Sequence, residues 1–137
     1  MQTLTKTVET YQLIWEDQKM KSGLVKIRQG ETSTFKIALR DENGLPFDLT
    51  NFDLFSVCLL KADDSYLEFD EDDDPSSADK SSVDETGVIE VTIGDTDSAG
   101  LYTGKAIDLF LEIDNDATPN KKRFVFPNAV IVEEYCS

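Results

Sequence analysis

The chain has 137 residues, of which 39% are hydrophobic, so it is the size of one domain with an ordinary core. Its 28 acidic and 13 basic residues give a formal net charge of -15, and a field of that sign repels phosphate backbones and anionic lipid surfaces. We therefore expect neither nucleic acid nor a membrane as a partner. No run approaches the roughly 18 to 20 apolar residues that span a bilayer, and the N-terminus lacks the order of a signal peptide. Both observations predict a product made in a cytoplasm.

Residues 1–22 precede the regular pattern and fit two interpretations. The threonines of this segment favour extended backbone, whereas its larger apolar side chains recur at a helical spacing. One interpretation is an extra strand or short helix that closes one end of the domain, which would begin at residue 23. The other is an arm that docks on a neighbouring subunit and exposes Tyr11, Ile14 and Trp15 in the free monomer.

Residues 29–50 contain the clearest strand pattern. Apolar and polar side chains alternate from Ser33 to Arg40, which is typical of a half-buried strand. The pair Asn43-Gly44 then predicts a tight turn, and a hairpin is the simplest continuation. Residues 45–50 should stay extended as an edge strand or crossover, because Pro46 fixes its own φ and restricts the residue before it.

Residues 53–61 carry apolar side chains on both faces of the predicted strand. Leu54 and Leu60 lie on the second face together with Cys58. A strand of this kind is expected at a central position that is covered on both sides, with another subunit as one candidate cover.

Residues 63–85 contain eleven carboxylate side chains and one lysine. We predict a long, solvated and mobile loop, because such a composition cannot bury a core. Asp70, Asp72 and Asp74 copy the first three ligands of a calcium loop, and these residues are weak candidates for a metal site. The rest of the segment departs from the calcium-loop pattern, because Pro75 replaces the glycine of the turn and Ser81 replaces the closing glutamate.

A short strand is predicted over residues 23–28, and the alternation resumes in the C-terminal half with strands predicted over residues 87–93, 105–113 and 123–134. Phe110 is an aromatic side chain on the polar side of its strand, and Pro127-Asn128 predicts a bulge or a sheet edge. Between these strands, residues 95–101 predict a single helical turn capped by Asp95 or Thr96. Seven or eight short strands without a long helix predict an all-β protein, an antiparallel sandwich of two sheets.

Candidate catalytic groups are scarce. The sequence has no histidine, and the acidic residues of 63–85 are expected to be fully solvated, so we expect no enzyme activity and no cofactor. Cys58 lies in an apolar run and Cys136 next to the C-terminus, and a lone pair of this kind is not a disulfide framework. The absence of these groups favours a binding or structural protein over an enzyme.

Four motifs, in this order along residues 25–133, resemble a family of small immunoglobulin-like domains in tailed bacteriophages, found at the N-terminus of baseplate upper proteins and as free-standing virion proteins. The motifs are RQGETSTFKIALRDENGLPFDLTNF, GVIEVTIGDTDSAGL, KAIDLFLEID and RFVFPNAVIVEE. They occupy turn and core positions and identify no active site.

The resemblance implies an immunoglobulin-like sandwich and a non-enzymatic structural protein of the virion, an adaptor, decoration or attachment subunit on the tail, baseplate or head surface. Its partners would be other virion proteins, and it would form a homo-oligomer or a symmetric array in the particle. Contact with the host surface is a further expectation. We expect the interface to use Tyr11, Ile14 and Trp15, or Leu54, Leu60 and Phe110. The alternative is a calcium-dependent carbohydrate-binding or adhesin-like module that uses the loops around residues 70–74 and 114–116.

Overall fold

A computed structural model of the chain describes residues 3–7, 13–14, 25–41, 43–80 and 83–134. For residues 3–7 and 13–14 it describes the backbone only. The elements, in chain order, are β1 (Thr3–Thr7), β2 (Leu13–Ile14), β3 (Val25–Arg28), β4 (Ser33–Arg40), β5 (Leu54–Leu60), β6 (Tyr66–Asp70), β7 (Ser77–Lys80), a 3-10 turn (Asp84–Thr86), β8 (Val88–Ile93), α1 (Asp95–Ser98), β9 (Ile107–Asp114) and β10 (Lys122–Glu133).

The strands form two five-stranded sheets, which confirms the predicted all-β sandwich. The first sheet has the order β2-β1-β4-β8-β7, and the second has the order β3-β10-β9-β5-β6. Most neighbours are antiparallel, but β1 runs parallel to β4 and β3 runs parallel to β10. The strands of residues 25–133 number eight, and β1 and β2 extend the first sheet beyond them.

The core lies between the two sheets and consists of the alternate side chains of each strand. In β8, for example, Ile89, Val91 and Ile93 are fully buried, while Glu90 between them is exposed. The same alternation buries Phe55, Val57 and Leu59 of β5, so the inward faces predicted for these strands are confirmed. Among the described residues, no helix is long and apolar enough to cross a membrane.

The chain crosses from the first sheet to the second through residues 41–53. The predicted turn is present: Gly44 has a φ of 80° and donates its N–H to the Asp41 carbonyl at 3.0 Å. The predicted hairpin is present only as one antiparallel bridge between Arg40 and Pro46, flanked by the hydrogen bonds from the Asp41 N–H to the Leu45 carbonyl at 2.8 Å and from the Phe47 N–H to the Leu39 carbonyl at 2.9 Å. Residues 47–53 form no strand and carry the chain over to β5, which agrees with the crossover alternative.

Gly87 lies against the backbone of this crossover. Its carbonyl accepts a hydrogen bond from the Leu39 N–H at 2.8 Å, and the Phe47 N–H donates to the Leu39 carbonyl at 2.9 Å. Gly87 has a φ of 67°, and a Cβ built there would lie 2.6 Å from the Leu39 carbonyl oxygen. The site therefore needs glycine for both its conformation and its space.

Replacing Gly87 with alanine should lower the free energy of unfolding by about 3–4 kcal/mol, because strain at positive φ adds to a backbone clash. Gly44→Ala is the matched control, since Gly44 has the same sign of φ but no atom within 4 Å of a new Cβ. That variant should lose only about 1–2 kcal/mol. Urea denaturation of both variants measures the difference, and equal losses would contradict this account of Gly87.

The acidic segment of residues 63–85 is more ordered than its composition predicts. It contains β6, β7 and the 3-10 turn, and it buries Phe69 and Ala78 in the core. Ser76 is also buried, and its hydroxyl donates to Asp97 Oδ2 and accepts the Gly94 N–H at 2.9 Å. The prediction of a loop in which nothing packs is wrong, because single apolar residues among the carboxylates suffice to hold two short edge strands.

Ser76→Ala should lower the free energy of unfolding by about 1–3 kcal/mol, because the buried Gly94 N–H loses its acceptor. Ser65→Ala removes a similar serine hydroxyl that hydrogen-bonds to Asp63 in an exposed turn. That control should change stability by less than about 0.5 kcal/mol. Thermal and urea unfolding of the two variants compare them directly, and a Ser76→Ala variant as stable as Ser65→Ala would disprove the anchoring role.

Two further predictions concern the C-terminal half. The helical turn is present as α1, but Gly94 occupies its N-cap position without a side-chain hydrogen bond, so neither Asp95 nor Thr96 is the cap. The predicted bulge is confirmed, since the pairing of β9 with β10 shifts between Phe126 and Val130, and Asn128 has a φ of 51°.

Candidate docking face

The side chains of β5, β6, β9 and β10 that point away from the core form one continuous surface, here called the outer face. β5 lies between β9 and β6, so the predicted interior position of this strand is confirmed. Its second face is not covered by the described part of the chain, however. Leu54 is 36% exposed, and Ser56, Cys58 and Leu60 are half-buried.

An apolar patch lies at the centre of the outer face. The pairing register places Phe110 of β9 opposite Cys58 of β5 on one side and opposite Val125 of β10 on the other. Tyr66 of β6 packs edge-on against Phe110, with ring centroids 6.2 Å apart. Tyr66 is 55% exposed and Val125 is 42% exposed, and together these four residues line an open depression of about 470 Å³.

A second depression of about 430 Å³ adjoins this patch and is acidic. Both depressions share Ser56, Glu68 and Glu112. The other polar residues that line the acidic depression are Asp70, Glu71, Asp73 and Asp114. Glu112 is neutralised locally, because Arg123 contacts its carboxylate at 2.9 Å and Lys121 at 3.5 Å. In the described part of the chain, Glu68, Asp70, Glu71 and Asp73 are in no ion pair.

Two carboxyl groups of the acidic depression have shifted pKa values of opposite sign. Burial raises the pKa of the Glu71 carboxyl, and the Asp70 and Asp72 carboxylates add to the rise, although backbone N–H groups of Glu71 and Phe55 oppose it. The Asn120 and Asn115 N–H groups donate to Asp114 and lower its pKa. Asp114 therefore stays ionised and holds the β9–β10 turn, whereas the charge of Glu71 is unfavourable in the folded chain.

Glu71→Gln should raise the free energy of unfolding at pH 7, because the amide keeps a hydrogen-bond acceptor without the charge. The folded-state pKa of Glu71 lies above its ordinary value of 4.5. The ionised carboxylate therefore destabilises the folded chain fully when the pH is above the folded-state pKa, and this destabilisation is absent when the pH is below 4.5. The urea midpoints of variant and parent should therefore differ at pH 7 and converge below pH 4.5. A variant less stable than the parent at pH 7 would contradict the effect of burial.

The structure brings together only some of the interface residues predicted from the sequence. Phe110 and Leu54 both lie on the outer face, in the apolar patch and the acidic depression respectively. Leu60 is half-buried and packs against the core cluster. Ile14 belongs to β2, of which only the backbone is described, and Tyr11 and Trp15 lie outside the described residues.

The calcium candidates form a local turn. Asp70 Oδ1 accepts the Asp72 N–H at 2.9 Å, and Asp73 Oδ2 accepts the Asp70 N–H at 3.0 Å. Asp74 is exposed. Within the residues that the structure describes, no group of three or more His, Cys, Asp or Glu side chains is arranged to hold a metal ion. Calcium binding here stays a prediction, which calorimetry with calcium would test.

Cys58 is a free thiol and is poorly suited to nucleophilic chemistry. Burial raises its pKa, and the Glu68 carboxylate across the strand pair raises it further. Because the thiolate is the reactive form, this environment makes Cys58 an apolar contact residue. Cys136 lies outside the described residues.

Sequence reasoning placed Cys58 on the second face of its strand but missed Tyr66 and Val125 as members of the outer face. Both side chains lie next to Phe110 only because of the registers of three strand pairs, β9 with β10, β5 with β6 and β5 with β9. The available signals were Phe110, a half-buried aromatic at a polar position of its strand, and Leu54.

Comparison with known proteins identifies the fold. No protein-family model and no curated protein sequence matches the chain. Among solved structures, the N-terminal domain of phage TP901-1 ORF48 superimposes with a TM-score of 0.55 at 15% sequence identity, covering 96% of this chain and 97% of that domain. The two domains share one fold. The resemblance to tailed-phage domains found in the sequence motifs is thus confirmed at the level of fold.

Proposed function

We propose that the chain is a non-enzymatic structural protein of a tailed-bacteriophage virion and serves as a docking, adaptor or attachment subunit of the tail, the baseplate or the head surface. The observation that carries the proposal is the fold shared with a phage protein domain over nearly the full length of both chains. The four sequence motifs that resemble small virion domains support it independently.

The chemistry of the described residues fits this role. The carboxylates of the acidic depression lie on an open surface, and the pKa of the Cys58 thiol is raised, so neither supplies an activated nucleophile or a matched acid–base pair. The outer face instead combines exposed aromatic and aliphatic side chains with a polar rim, which is the composition of a protein interface.

Docking in the particle would use two regions of the chain. The first is the outer face, with Phe110 and Leu54, and with Leu60 at its margin. The second is the N-terminal segment with Tyr11, Ile14 and Trp15, which would contact a neighbouring subunit in a homo-oligomer or symmetric array. The partners of both regions are other proteins of the particle.

Mass spectrometry of purified virions of the phage that encodes this chain should detect the chain as a stoichiometric component. Phe110→Ser should lower its incorporation by about tenfold or more, because truncating a central aromatic contact typically costs more than about 1.4 kcal/mol. Leu45→Ser is the matched control, since Leu45 is an apolar residue that is 60% exposed outside the outer face. It should be incorporated within about twofold of the parent.

Particles that lack the chain would disprove the proposed function. Normal incorporation of folded Phe110→Ser would remove the outer face from the docking model. Deletion of residues 1–22 tests the N-terminal segment in the same assay, and unchanged incorporation would remove that segment.

A further inference from the structure

We propose that the outer face docks a basic segment of a different protein, one that places an apolar side chain on the apolar patch and a lysine or arginine in the acidic depression. This inference specifies the partner chemistry of the docking site and rests on the proposed function for its location in a particle.

The apolar half of the argument is geometric. Cys58, Tyr66 and Val125 lie around Phe110 in an open depression, and two of the four side chains are more than two-fifths exposed. Edge-on packing of Tyr66 against Phe110 holds both rings in place, so a partner side chain would meet a preformed surface.

The charged half of the argument identifies the occupant. Glu68, Asp70, Glu71 and Asp73 lie beside the patch, and among the described residues none of them has a cationic partner. Burial and its acidic neighbours already raise the pKa of Glu71. A cation placed in the depression would relieve this repulsion and be attracted by every carboxylate around it.

The same charges disfavour a second copy of this chain on the outer face. A twofold contact would place the acidic depression of one copy against that of the other, or against its rim, at a formal charge of -15 for each chain. Like charges brought together in an interface oppose association. The favoured occupant is therefore a basic segment of another protein.

The surface can be tested on the isolated full chain with a short synthetic peptide of alternating lysine and tryptophan. Amide chemical shifts should change mainly in β5, β6 and β9, and added salt should weaken the binding. A peptide of alternating glutamate and tryptophan should not bind. Glu68→Lys should weaken binding of the lysine peptide about tenfold, since a like charge then faces its lysines.

Glu90→Lys is the matched control, because Glu90 is an exposed glutamate on β8 of the first sheet. It should change the affinity by less than about twofold. Equal binding of both peptides, shifts scattered over the whole acidic surface, or an equal effect of the two variants would overturn the proposal. Concentration-dependent shifts of the same amides without peptide would also overturn it, because they indicate a second copy on this face.

A photoreactive phenylalanine analogue at position 66 identifies the partner in assembled particles, with position 45 as the control. The expected crosslink joins residue 66 to a segment of another virion protein that contains lysine or arginine beside an apolar residue. A crosslink to another copy or to an acidic segment would overturn the proposal. If particles lack the chain, the proposed function fails, while the peptide titration still decides the chemistry of the face.

Discussion

The pairing register of β9 with β5 and β10 is the constraint on which the rest of the structure depends. It turns Leu109 and Leu111 into the core and Phe110 outward between Cys58 and Val125. Because side chains alternate along a strand, a slip of one residue would exchange these faces. Carboxylates fix the register at both ends of β9: Asp114 accepts the Asn115 and Asn120 N–H groups at the hairpin turn, and Asp108 accepts the Asn128 N–H at the bulge.

The acidic residues of this chain therefore have two different roles. Asp108 and Asp114 accept backbone hydrogen bonds and hold strands in register, and the lowered pKa of Asp114 reflects that role. Glu71 has the opposite character, because its raised pKa means that its charge opposes folding. A carboxylate that lowers the stability of the fold, on the same face as an exposed tyrosine and a half-buried phenylalanine, is expected where a surface serves binding.

Much of the fold could be predicted from residue alternation. The inward faces of β3, β5, β8, β9 and β10 follow directly from it, and the bulge follows from Pro127-Asn128. Composition misled in the acidic segment, because a prediction based on the average of residues 63–85 overlooks Phe69, Ser76 and Ala78, which are buried one at a time. The crossover was ambiguous because Pro46 allows both an edge strand and an irregular connection, and the contacts of Gly87 that favour the latter are distant in sequence.

The outer face could be predicted only in part. Phe110 and Leu54 are visible as apolar residues at polar positions of their strands. Tyr66 and Val125 join them through strand pairings whose partners are up to 60 residues apart in the chain, as Leu54 and Asp114 are, and no local pattern encodes those registers. The acidic depression likewise combines the ends of β5, β6 and β9, which the sequence shows as separate charged turns.

Hydroxyl-radical footprinting of the chain, free and in purified particles, tests most directly whether the outer face is a docking surface. Oxidation of Tyr66 and Phe110 should fall strongly in the particle, because a partner side chain covers them, while Leu45 should remain as reactive as in the free chain. Equal oxidation of Tyr66 and Phe110 in both states would contradict the central claim.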